Sequence, residues 1–215
     1  MTFSTMLSTM SAGMLRTFLI FALTLIGSLP LGMVIALLKK SRFAVVRGII
    51  SVYISIMRGT PLMLQLVAWY FGPYFLFGWN IGNWRFPAII LGFVLNYAAY
   101  FAEIYRGGIE SIPVGQYEAA EVLGYTKTQT FMKIILPQVT KVIMPSVTNE
   151  VITLVKDTSL AFTLAYAEVF SLAKQISASQ TSFMPFLIAG VFYFVANYLV
   201  EIIMARIEGS LDYYK

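Results

Sequence analysis

The sequence predicts an all-α integral membrane domain over residues 1–215, with five transmembrane helices per subunit, the N-terminus outside, the C-terminus inside, and a short cytoplasmic helix at about residues 113–124. Three observations predict it. Hydrophobic residues make up 59% of the chain and charged residues 12%, whereas soluble domains are about half apolar and a quarter charged. Basic residues sit at the ends of apolar runs, as Lys39, Lys40, Arg42 and Arg47 do, which is the placement of cytoplasmic loops. One polar, helix-forming stretch of any length, residues 116–137 (QYEAAEVLGYTKTQTFMKIILP), interrupts the apolar pattern.

The elements follow in order. Residues 1–13 are rich in Ser, Thr and Met and carry no charge, so they read as an exposed lead or the start of a helix. Residues 14–38 form the first span, closed by Lys39, Lys40 and Arg42, with Pro30 as a kink point. Its length and basic flank mark it as a retained span rather than a cleaved leader. Residues 45–77 are too long for one straight span, and Arg58-Gly59-Thr60-Pro61 interrupts them. Proline disfavours helical backbone at Thr60, so a broken helix is expected there. Broken backbone at membrane depth needs protein or a wet cavity around it.

Residues 78–86 carry Gly, Asn and two tryptophans, the chemistry of a membrane–water interface. The third span is 87–108. Pro113 opens the polar helix, with Ser111 as its expected cap and Gly124 as its left-handed end. The fourth span, 131–154, contains Pro137 and Pro145. A second break is expected at Lys156-Asp157-Thr158-Ser159, followed by an apolar helix over 160–174 and a polar loop over 175–184. The fifth span is 185–206, and 208–215 is a polar tail. The orientation puts Lys39, Lys40, Arg42, Arg47, Arg106, Lys127, Lys133, Arg206 and Lys215 inside, leaves Arg16, Arg85 and Lys174 near the outer side, and sets Lys156 at depth.

Several function classes fall away. The chain has no cysteine and no histidine, which removes disulfides, zinc sites of the usual kind and histidine acid–base chemistry. No G-x-x-x-x-G-K-[ST] stretch occurs, so the chain has no phosphate loop of its own. The net charge of +5 belongs to the loops facing the cytoplasm, and no nucleic acid partner is expected.

Within the polar stretch, Glu118 and Glu121 are three residues apart and share a face, while Tyr117 and Ala120 share the neighbouring one. Small Ala119 and Ala120 would let another surface approach closely. The pattern fits a helix that docks in a partner's groove, and equally an ordinary interfacial amphipathic helix. Here the sequence resembles a known family. Glu118-Ala119-Ala120, three residues, Gly124, nine residues and then Ile134-x-Leu136-Pro137 match the EAA signature of ABC importer permeases without a mismatch. Residues 112–124 (IPVGQYEAAEVLG), Arg58-Gly59-Thr60-Pro61-Leu62 and Lys156-Asp157-Thr158-Ser159-Leu160 are similar to the polar amino acid branch, the histidine/glutamate/glutamine/arginine/opine type.

The resemblance implies the type I ABC importer permease fold in the plasma (inner) membrane of a prokaryote. It implies partners: ATP-binding cassette ATPase subunits, a second permease subunit (the same or a different chain), an extracytoplasmic amino acid-binding protein, the amino acid itself and membrane lipid. No cofactor is expected in this chain, because ATP and Mg would sit on the ATPase subunit, and the chain itself would not be an enzyme. Tyr117, Glu118, Ala119, Ala120, Glu121 and Gly124 would form the coupling contact with that subunit.

The candidate substrate residues are Arg58, Asn96, Tyr100, Glu103, Asp157, Thr158 and Ser159. Ionisable groups in spans are costly and usually face a cavity or the bundle interior. Asn96, Tyr100 and Glu103 fall on one face of the third span, and this stripe suits either the pathway or hydrogen bonding between helices. Asp157, Thr158 and Ser159 lie at the second break, where they suit the ends of a zwitterion or a cap on the following helix. Arg58 suits a substrate carboxylate, the carbonyls freed at the break, or a pair with Glu103. Glu150 suits either pathway or packing, and Glu168 is expected at the solvated outer surface. Glu103 and Asp157 favour a basic amino acid such as arginine, lysine or histidine, while Arg58 and Lys156 lie close enough in sequence to neutralise both. A secondary transporter driven by an ion gradient through Glu103 or Asp157 is the alternative. It leaves the polar helix unexplained. A membrane-embedded enzyme lacks any cluster of catalytic or metal-ligating residues.

Overall fold

Helix α1 spans Phe3–Lys39 in the computed structural model, which describes residues 2–211; Lys215 and the rest of the tail beyond residue 211 lie outside the described residues. The expected lead is therefore part of the first helix. The Thr2 hydroxyl accepts from the Thr5 N–H and caps it. Met6 and Met10 are buried, because α1 packs against residues far along the chain that a local reading does not see. Pro30 lies inside the helix, and Lys39 stands in its last turn, where a cation suits the helix dipole.

The broken second region is α2, Ala44–Gly59, and α3, Leu62–Phe77. The chain bends by 112° between them. Gly78 closes α3 in the left-handed region at φ 65°. Helix α4, Arg85–Ser111, is central: Ile89, Phe93, Ala98, Ala99, Phe101 and Ala102 on it are fully buried. It packs on α1, α2 and α3 and on the later helix α7. Glycines set the closest approach to α1. A Cβ at Gly32 would meet the Phe101 Cβ at 2.8 Å and the Ala98 carbonyl oxygen at 3.1 Å, so small residues let the two backbones come together.

The polar stretch contains α5, Val114–Val122, and α6, a single turn at Lys127–Thr130. A π-helical turn follows at Phe131–Ile135 and runs into α7, Leu136–Asp157. Pro137 has no N–H to offer the Lys133 carbonyl, and the Leu136 N–H reaches back to Phe131, which widens the turn.

After α7 the expected helix over 160–174 is replaced by two pieces. A 3₁₀ segment covers Thr158–Leu164, and α8 covers Val169–Gln180. The hydroxyls of Thr158, Ser159 and Thr163 each donate to the carbonyl three residues back, at 2.6, 2.8 and 2.8 Å, which favours the tighter coil. Ala165 then turns left-handed at φ 51°. Glu168 is fully buried rather than solvated. It caps α8, accepting from the Phe170 and Ser171 N–H groups at 2.7 and 2.6 Å and from the Tyr193 hydroxyl at 2.9 Å. Most of the expected polar loop at 175–184 is the end of α8, closed by Thr181 at φ 49°. The last helix, α9, is Met184–Ser210.

Three helices, α1, α4 and α9, are long and apolar enough to cross a membrane, and the bent α2–α3 pair makes a fourth if it is one span. Helix α7 carries Lys141, Glu150, Lys156 and Asp157 among several other polar residues and is not apolar enough to join them. No strand occurs among the described residues.

Candidate functional site

Two places are built around polar residues: a cavity at the α2–α3 break and the exposed surface of α5. The break follows from Pro61. Its missing N–H leaves the Met57 carbonyl without its helical donor. The Gln65 and Asn96 side-chain amides supply it instead, each at 2.9 Å. Gln65 Nε2 also donates to the Thr60 carbonyl at 3.1 Å and the Thr60 hydroxyl at 2.8 Å, and Gln65 Oε1 accepts from Asn96 at 3.0 Å. Thr60 donates to the Ile56 carbonyl at 2.8 Å. The bend is therefore held by a hydrogen-bonded staple, with Gln65 and Asn96 both buried.

Beside the staple lies a cavity of about 340 Å³, lined by Thr60, Pro61 and Leu62 at the break, Asn96, Tyr97 and Tyr100 on α4, and Glu150, Thr153, Asp157 and Leu160 beyond. The Tyr97 hydroxyl donates to Asp157 Oδ2 at 2.7 Å. Glu150, Thr153 and Asp157 recur every three to four residues on α7 and so share one face. The lining thus offers two carboxyls, hydroxyls and aromatic faces, a set suited to a small zwitterion.

The structure brings together three of the seven predicted substrate residues: Asn96, Tyr100 and Asp157. The other four do not line the cavity. Glu103 sits in an ion knot. It accepts from Lys39 at the end of α1, takes Arg106 through Nη2 at 2.8 Å and Nε at 3.2 Å, and lies 3.9 Å from Arg58. Arg106 also reaches Glu110 at 2.5 Å. Arg58 stacks over the Tyr100 ring, 5.2 Å from its centroid, and so touches the cavity wall from behind. Thr158 is buried, and its hydroxyl and that of Ser159 are spent on the carbonyls of Val155 and Lys156. Each of the four is engaged by a partner within the chain.

At the other place, α5 begins after Pro113, which makes no side-chain cap. Ser111, the expected cap, donates to the Gly108 carbonyl at 2.8 Å instead. The C-terminal end is a Schellman closure: Gly124 stands at φ 79°, its N–H bonds to Glu121 at 2.9 Å, and the Tyr125 N–H bonds to Ala120 at 3.0 Å. Thr126 and Gln129 then cap α6 reciprocally. Ala120 is only 1% exposed and packs against this chain, while Tyr117 is half-buried and lines an open surface pocket with Glu121, Tyr125 and Lys127. Burial pushes the Tyr117 phenol above its ordinary pKa. The outward surface is Glu118, Ala119 and Glu121 with Val122 and Leu123, which are 87% and 72% exposed.

Residues 28–213, which include both places, match the family described as binding-protein-dependent transport system inner membrane component. The chain belongs to that family. This transport component is 36% identical over 208 residues to the L-cystine transport system permease protein TcyB of Bacillus subtilis (strain 168), covering 95% of this chain and 87% of that protein. It is 37% identical over 200 residues to the arginine transport system permease protein ArtQ of the same organism, covering 93% and 90%. Among solved structures it is similar to a chain of an amino acid ABC transporter crystallised with histidines, at a TM-score of 0.86 and 30% identity over 98% of this chain and 99% of that one. A chain of the inward-facing MetNI methionine ABC transporter has a TM-score of 0.73 at 19% identity and shares the fold.

Sequence reasoning missed three parts of the transport component's cavity. Tyr97 and Thr153 line it, and Gln65 staples its rim. Glu150–Thr153–Asp157 was visible as a polar stripe on a helical face. Gln65 had no such signal, because its partners are the carbonyls freed by Pro61.

Proposed function

We propose that the chain is the permease subunit of an ATP-driven importer for polar amino acids. Two permease subunits enclose the pathway, and a separate ATP-binding subunit docks on each α5. Closure of those subunits displaces the α5 helices and switches the pathway between inward-open and outward-open. An extracytoplasmic binding protein delivers the amino acid. The five spans are α1, the α2–α3 pair, α4, α7 and α9, with the N-terminus outside and α5 in the cytoplasm, as the cluster of basic residues around 39–47 and 106–133 supports.

The observation that carries this reading is the exposed surface of α5. Family membership supplies a transport system, and α5 supplies a rigid, capped helix whose Val122 and Leu123 are left bare for a partner. The cavity supports the cargo class. Its two carboxyls, Glu150 and Asp157, favour an amino acid with a cationic group, and among the relatives are proteins named for arginine and nopaline transport.

The test is uptake into liposomes by the permease assembled with its ATPase and binding protein, across a panel of basic, acidic and neutral amino acids. Uptake is expected to need ATP and to survive an ionophore that collapses ion gradients. Uptake that follows the gradient with ATP intact would favour an ion-coupled carrier, and the absence of ATP-dependent uptake of every amino acid would sink the proposal.

A further inference from the structure

Among the described residues, Glu103 is the one carboxylate on which cations from three helices converge. Lys39 is the last residue of α1, Arg58 stands next to the end of α2, and Arg106 is one turn along α4. With Glu110 included, the five side chains carry a formal net charge of +1; without Glu103 the three cations would repel one another in a partly buried site. The knot lies between the two places described above. Toward the cavity, Arg58 covers the Tyr100 ring, and Tyr100 lines the cavity. Toward the cytoplasm, α4 ends at Ser111 and α5 begins at Val114, so only Ile112 and Pro113 separate them.

That junction is stiff. Ile112 is buried, Pro113 has a fixed φ, and the end of α4 lies so close to α7 that a Cβ at Gly108 would meet Ile143 Cγ2 at 2.2 Å. A displacement of α5 is thus delivered to α4 with little slack. On the far side of the knot the contacts are unequal. Arg106 grips Glu103 at 2.8 Å, while Arg58 lies 3.9 Å away. The Arg58 contact is the one that yields first, and it adjoins the stapled helix break.

We infer that Glu103 is a positioning residue that transmits the displacement of α5 to the α2–α3 break, with Arg58 as the contact that opens and closes. It acts without touching the amino acid. This inference rests on the function proposed above. It names a two-state element, the bend at Thr60–Pro61, which both the cavity and α5 can bias.

The experiment compares wild type, Glu103→Gln, Glu103→Asp and Arg58→Gln in the reconstituted complex. It measures three quantities: the amount assembled, the apparent affinity for a transported amino acid, and ATP hydrolysed per amino acid moved. Glu103→Gln is expected to keep the apparent affinity within about twofold while raising the ATP cost per transport event at least about tenfold. Glu103→Asp keeps a carboxylate and is expected to stay within about threefold of wild type on both measures. Arg58→Gln, which leaves Lys39 and Arg106 on Glu103, is expected to raise the ATP cost as well and decides the matter if Glu103→Gln fails to assemble.

Wild-type stoichiometry in Glu103→Gln, or in Arg58→Gln where that variant decides, would overturn the inference. So would a fall in affinity of about tenfold in Glu103→Gln, which would make Glu103 a substrate ligand. Equal losses in Gln and Asp that track the amount assembled would make it a static brace. If the wild-type complex itself shows no ATP-dependent uptake, the proposed function fails first, and the two failures are distinct.

Discussion

Replacing Gln65 with leucine removes the amide that closes the α2–α3 break while keeping the side chain's size. Gln65 Nε2 serves the Met57 and Thr60 carbonyls and the Thr60 hydroxyl, and Oε1 takes Asn96. Met57 retains Asn96 as a donor, and Thr60 is exposed, so water can reach its freed carbonyl. The loss is then about two neutral hydrogen bonds at about 0.5–1.5 kcal/mol each, or about 1–3 kcal/mol in all. Asn96→Leu alone should cost a similar amount. Because the two amides bond each other at 3.0 Å and share one carbonyl, the double variant should cost less than the sum by about 1 kcal/mol. Equilibrium unfolding in mixed micelles, read as a double-mutant cycle, measures this. Additivity within about 0.3 kcal/mol would refute the staple as a single cooperative unit.

The remaining predictions concern the handle and the packing. Gly124→Pro cannot reach φ 79° and loses the N–H that bonds Glu121; the variant should insert normally yet lose ATPase binding in pull-down, and unchanged transport would remove the docking role. Leu123→Asp changes an exposed residue, so its thermal stability should match wild type while affinity for the ATPase subunit falls by about tenfold or more; equal affinity would place the contact elsewhere on α5. Gly108→Leu forces a side chain into Ile143 and should destabilise the α4–α7 contact by at least about 1–3 kcal/mol, measured by the same unfolding assay, with Gly107→Leu as a control where the space is open.

Where the sequence was legible, the signal was local punctuation. Pro61 after Arg58-Gly59-Thr60 marked the bend, because proline acts on the residue beside it and the carbonyl four residues back. Gly124 marked the end of α5 for a similar reason: a left-handed closure needs glycine at one known place. Most long-range partners were illegible, the Arg58–Glu103 pair being the exception. Glu103 read as suited either to the pathway or to bonding between helices, with Arg58 as one partner; Arg58 lies 3.9 Å away, and Lys39, 64 residues earlier, is the partner that was not foreseen. The first thirteen residues read as either an exposed lead or the start of a helix, because the packing that decides between the two is long-range. Met10 is buried, and a Cβ at Gly13 would meet the Val169 backbone at 3.1 Å. Glu168 read as solvated because nothing in its vicinity announced Tyr193. Ser111 and Pro113 competed for one helix start, and the hydroxyl turned back to Gly108.

The wide turn at Phe131–Ile135 has a consequence for everything after it. Relative to a regular helix it accommodates one extra residue, and each residue of an α-helix advances the direction of its side chain by about 100°. The turn therefore sets the angular phase of the whole of α7. With it, Glu150, Thr153 and Asp157 arrive pointing at the cavity; with one residue removed and the coil tightened, the same sequence would aim its acidic stripe about a quarter-turn away. A single-residue deletion beside the handle would thus misdirect a binding wall several turns distant, without altering any residue of that wall.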